Sequence, residues 1–143
     1  MNIKGSQTEK NLIQSYQGEL AGDALYKIFA VKAREEGYEE VALSFEKLAK
    51  EEVGHSEVFK RFLGEVEVNL DMEVFKAMCQ ETVVNLRMAS AGEYKAYKEI
   101  YPEFSRVAMS EGFSEVAKVY EVLGGVELRH SNILEKLAGD IEN

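Results

Sequence analysis

One stretch of this chain is written twice. EGYEEVA at residues 36–42 returns as EGFSEVA at 111–117, and Phe45, Glu52 and His55 match Tyr120, Glu127 and His130 at the same offset of 75. Upstream, GEL at 18–20 matches GEY at 92–94 at an offset of 74. One extra residue therefore lies in the second copy, on the stretch that holds Pro102, the one proline of the chain. Within each copy apolar residues recur at spacings of three and four, which is helical periodicity. Two amphipathic helix pairs of this length cannot bury their apolar stripes separately. The pattern predicts an all-α four-helix bundle, two similar helix pairs joined by a crossover connection. With 143 residues it reads as a single domain, 1–143.

The spacing predicts a first helix from about Glu9 to Glu36, with Leu12, Tyr16, Glu19, Gly22, Tyr26, Phe29 and Ala33 inward and Gly37 ending it. A second runs from about Glu39 to Leu63, placing Val41, Phe45, Leu48, Glu52, His55, Phe59 and Phe62 inward until Gly64 breaks the pattern. EVEVNLD, 65–71, reads as a crossover loop, with a short strand as the alternative, and Asn69 or Asp71 would cap the next helix. That third helix is expected from about Met72 to Ser110, with Phe75, Cys79, Thr82, Leu86, Ala89, Glu93 and Ile100 inward. Pro102 and the extra residue predict a kink or bulge within it. The fourth runs from about Ser114 to Leu137, with a frayed end over Asp140 to Asn143.

A net charge of −9 argues against nucleic acid and anionic membranes as partners. No stretch approaches the length of apolar sequence that spans a bilayer, and MNIKGSQTEKN has no apolar run of a signal peptide, so a cytoplasmic protein is expected. The lone Cys79 makes no internal disulfide and belongs to no CxxC metal motif; it is expected to fill core.

Glu19, Glu52, Glu93 and Glu127 all fall on stripes that should face the core. Buried carboxylates are costly alone and worse together, since like charges repel across a low-dielectric interior. Two divalent cations would cancel four carboxylates, leaving the two histidines, His55 and His130, to complete the coordination as neutral ligands. Each histidine follows a glutamate by three, which puts the pair on one helix face. One Glu from each of two helices plus Glu-x-x-His from each of the other two is the ligand set of dinuclear carboxylate bundles. Carboxylate and imidazole donors suit iron or manganese, and zinc would satisfy them as well.

TEKNLIQSYQGE (8–19), EEGYEEVALSFEKLAKEEVGHSEVFKRFL (35–63), NLRMASAGE (85–93) and YPEFSRVAMSEGF (101–113) resemble the ferritin-like domain of the rubrerythrins, and the resemblance covers nearly the whole chain. It implies a centre of two iron ions that reduces hydrogen peroxide to water in oxidative-stress defence. By position, Glu19 and Glu93 would be terminal ligands, Glu52 and Glu127 bridges, and His55 and His130 would hold one iron each. Tyr26 and Tyr101 stand where the family has tyrosines that orient ligand carboxylates. The resemblance also implies a homodimer, with exchange of helix pairs between chains as an option at the 64–71 connector.

The chain departs from the family pattern twice. The CxxC pairs of the rubredoxin domain that many members carry are absent from these residues, so an external electron donor such as rubredoxin is expected. The family has a further glutamate three residues after the position of Glu93, and here that residue is Ala96. Glu99, about 600° round an α-helix from Glu93, would face away. The remaining four Glu and two His resemble oxidase sites of the bacterioferritin type. Dioxygen-driven iron oxidation is thus the alternative activity, and a metal-binding bundle without turnover a third reading.

Overall fold

The computed structural model describes residues 2–143. Its elements are helical: α1 (Gln7–Glu35), α2 (Glu39–Leu63), α3 (Met72–Met78), α4 (Thr82–Lys95), a π-helical turn (Ala96–Ile100), α5 (Tyr101–Ser110) and α6 (Ser114–Glu142). Residues 64–71 are irregular, as a crossover loop should be, and no strand forms among the described residues. The chain divides into two compact units. One is Gln14–Asn85; the other joins the residues up to Ile13 to Leu86–Asn143.

In the unit Gln14–Asn85, α1 ends where Gly37, at φ +87°, turns the chain into a left-handed conformation open to glycine. Gly37 N–H donates to Arg34 O and Tyr38 N–H to Ala33 O, the paired bonds of a Schellman ending. Tyr26, Phe29 and Phe45 pack as an aromatic trio, with Phe45 centred 5.6 Å from Tyr26 and 5.5 Å from Phe29. Asp71 caps α3 as expected, accepting from Glu73 N–H and Val74 N–H. The first turn of α4 is held by Glu36, whose carboxylate accepts from both the N–H and the hydroxyl of Thr82.

The other unit repeats the helix ending, the aromatic trio and the glutamate–threonine contact. Gly112, at φ +88°, ends α5 with the same two bonds, to Met109 O and from Phe113 N–H to Ala108 O. Tyr101, Phe104 and Tyr120 form the matching trio, Tyr120 lying 5.2 Å from Tyr101 and 5.5 Å from Phe104. Glu111 accepts from the N–H and hydroxyl of Thr8 at the start of α1. Ser105 ties α5 to α6 through Ala117 O at 2.9 Å.

The expected bulge lies one turn before the proline. Tyr101 N–H bonds to Ala96 O, five residues back, so one turn carries an additional residue. Seven residues separate Glu19 from Tyr26 and eight separate Glu93 from Tyr101; the wide turn absorbs the difference. Pro102 then sits in the first turn of α5.

Three expectations need correction. The third helix is not continuous from Met72: it breaks over Cys79–Glu81, where the Asn85 side chain holds Gln80 N–H and Gln80 O and Glu36 starts a new helix at Thr82. Phe75 and Cys79 are consequently not core, since α3 buries no residue and the Cys79 thiol is only half-buried beside Asn85. The end of α6 does not fray at Asp140; the helix runs to Glu142, and Arg87 pairs with both Glu135 and Glu142.

Candidate metal centre

Each unit carries three of the six candidate ligands. In Gln14–Asn85, α1 brings Glu19 inward and α2 brings Glu52 and His55, one turn apart on the same face. Glu19 and Glu52 are buried, at 3% and 4% exposure. His55 Nδ1 stands 3.5 Å from Glu19 Oε2. The Glu52 carboxylate packs beside Gly22 on α1: a Cβ at that glycine would be 3.4 Å from Glu52 Cδ and Oε2.

In the other unit, α4 brings Glu93 inward and α6 brings Glu127 and His130. All three are buried. One donor atom from each falls within 4.8 Å of the others. His130 Nδ1 is 3.7 Å from Glu93 Oε1, the counterpart of the His55–Glu19 approach.

Those two separations are long for a direct hydrogen bond and compatible with an ion pair or a shared cation. Two ligands that each stand about 2.1 Å from one cation are themselves roughly 3–4 Å apart. The donor types agree, since carboxylate oxygen and imidazole nitrogen are first-row divalent-metal ligands. The residues thus fit a metal ion.

Tyr26 and Tyr101 are buried at equivalent places in the two trios, both at 6% exposure. Glu99 is exposed on the π turn, in keeping with the expectation that it does not replace the family's additional glutamate. Gly22 was legible as an inward residue of α1, but nothing in the sequence tied it to Glu52. The signal that was present is its position, three residues after Glu19 as Ala96 is three after Glu93. No helix among the described residues is long and apolar enough to cross a membrane.

Comparison with known proteins identifies the family and the fold. A family model described as Rubrerythrin matches residues 10–138. The rubrerythrin of Clostridium perfringens is 36% identical over 147 residues, covering 99% of this chain and 74% of that protein. The rubrerythrin of Porphyromonas gingivalis is 34% identical over 142 residues, covering 99% of this chain and 71% of that protein. Among solved structures, fully reduced, all-ferrous nigerythrin superposes with a TM-score of 0.86 at 27% identity, over 98% of this chain and 72% of that one. The all-α, ferritin-like bundle expected from the sequence is the fold these proteins share. Matched along its length in both sequence and fold, the chain belongs to the rubrerythrin family.

Proposed function

We propose that this protein is a non-haem di-iron peroxidase that reduces hydrogen peroxide to water with electrons from a separate donor such as rubredoxin. The observation that carries the proposal is the matched pair of approaches, His55 to Glu19 and His130 to Glu93, at 3.5 and 3.7 Å on buried carboxylates. Glu19, Glu52 and His55 would supply three donors and Glu93, Glu127 and His130 the other three. Pooling them balances charge: four carboxylates against two divalent ions, with both imidazoles neutral. Two ferrous ions bound there supply the two electrons that peroxide reduction consumes.

The chain's own residues then have distinct tasks. Glu52 and Glu127, on the helices that also carry the histidines, would be the carboxylates shared between the metals, as the family resemblance implies, and Glu19 and Glu93 would each hold one from the neighbouring helix. The Tyr26 and Tyr101 phenols orient carboxylates, a role that tunes metal affinity and reactivity. The physiological partners on this reading are hydrogen peroxide, an external electron donor and a second copy of the chain; iron is the metal, with zinc or manganese as competitors for the same donors.

A second reading, dioxygen-driven oxidation of iron, is favoured by Ala96, which leaves a set of four Glu and two His with no additional carboxylate. One experiment separates them. Protein loaded anaerobically with two equivalents of ferrous iron is mixed rapidly with peroxide or with dissolved oxygen at equal concentration, and near-ultraviolet absorption is followed. Much faster oxidation by peroxide supports the peroxidase. Equal or faster oxidation by oxygen supports the alternative, and no reaction with either leaves a metal-binding bundle without turnover.

A further inference from the structure

Gly22 lies in the interior of α1, where glycine is the least favourable residue apart from proline. Its backbone does not require glycine: the positive-φ glycines are Gly5, Gly37, Gly64 and Gly112, and Gly22 is not among them. What distinguishes it is its contact. Of the glycines in α1, Gly18 faces open space, whereas a Cβ at Gly22 would meet Glu52 Cγ at 3.5 Å and its Cδ and Oε2 at 3.4 Å. Those are the atoms that define where the carboxylate points. Glu52 is 4% exposed, so its freedom to swing elsewhere is set by protein atoms.

We propose that Gly22 is a positioning residue for the metal centre: its bare backbone is the seat on which the Glu52 carboxylate rests. The proposal builds on the assignment of Glu52 as a metal ligand. A methyl group at position 22 just reaches contact with the carboxylate and confines it; a branched side chain occupies its place.

The test uses cobalt(II) as the probe, because its visible absorption reports ligand geometry without turnover. Wild type, Gly22→Ala and Gly22→Val are titrated with cobalt(II), beside Gly18→Ala and Gly18→Val on the same helix. Wild type is expected to bind two equivalents. Gly22→Ala should change the cobalt spectrum while its metal-free form melts no lower than wild type. Gly22→Val should lose about 10–100-fold in affinity for at least one ion, the range typical when support for a metal ligand is removed. The Gly18 variants should keep the wild-type spectrum and affinity. Should Gly22→Val fail to fold, Gly22→Ala decides alone. Wild-type spectra and affinities in the Gly22 variants overturn the proposal while leaving the metal site standing. A wild type that binds no cobalt overturns the metal assignment and the proposal with it.

Discussion

The carboxylate of Glu111 accepts hydrogen bonds from both the backbone N–H and the hydroxyl of Thr8, 103 residues away in sequence. Glu36 makes the same pair of bonds with Thr82. A free N–H at a helix start is ordinarily satisfied by a neighbouring Ser, Thr, Asn or Asp. Here a glutamate just beyond the end of one helix serves the first turn of another, and its negative charge sits at the positive end of the helix dipole.

These bonds give a pH dependence with a defined sign. The Thr82 hydroxyl, with its backbone N–H, holds Glu36 below the usual glutamate range, and the Thr8 hydroxyl does the same for Glu111. A folded pKa below the unfolded value of about 4.3 means stability that is fully present at neutral pH. It is lost as pH falls through that value and then through the folded ones. The Glu36→Gln/Glu111→Gln double variant should therefore melt lower than wild type at pH 7, and the gap should close towards pH 3. A gap that stays constant from pH 7 to pH 3 would refute the assignment.

Metal-free protein should be strained by its own ligands. Glu19, Glu52, Glu93 and Glu127 are all buried, and like charges in such surroundings oppose folding. Glu52→Gln or Glu127→Gln should raise the stability of metal-free protein by about 1–2 kcal/mol, a gain commonly obtained when a functional site is neutralised. Chemical denaturation in chelator measures it. Lower stability in both variants would mean that these carboxylates support the fold for some other reason.

Metal should act as a stabiliser through mass action. With free cobalt(II) or anaerobic ferrous iron at about 100 times its dissociation constant, the linkage is about 2.7 kcal/mol per independent site. For a chain of this size that is a rise in Tm on the order of 10 °C. Chelator should reverse it, and Glu127→Ala should abolish most of it. An unchanged Tm across a metal titration would count against the site.

The aromatic trios are expected to carry much of the packing energy. Phe45 is fully buried between Tyr26 and Phe29. Phe45→Ala should cost about 3–5 kcal/mol, as deletion of a buried aromatic ring does. A shift in urea midpoint at constant slope would show it; a loss under 1 kcal/mol would mean that the neighbouring rings close the gap.

Much of this was legible because helices announce their buried face every third or fourth residue. The inward residues of α1 and α2 follow the sequence pattern down to Glu19 and Glu52, and the 74-to-75 change of offset marks the stretch that holds the bulge. The break at Cys79–Glu81 was not legible, because Phe75, Cys79 and Thr82 keep helical spacing across it. What starts α4 at Thr82 is Glu36, 46 residues earlier. The pairing of Arg87 with Glu142 near the end of α6 is likewise a contact between distant residues. Gly22 was legible only as an inward residue, because its contact is with another helix and local spacing carries no trace of that.

The π turn at Ala96–Ile100 has a mechanical consequence. Wide turns are weaker than the α-helix on either side, and Pro102 offers no N–H to reinforce this one. The long helix is therefore two stiff rods with slack between them, and the slack falls immediately after Glu93. On the far side of that turn Tyr101 is held against Tyr120, their ring centres 5.2 Å apart, so the slack separates an anchored segment from the one that carries Glu93.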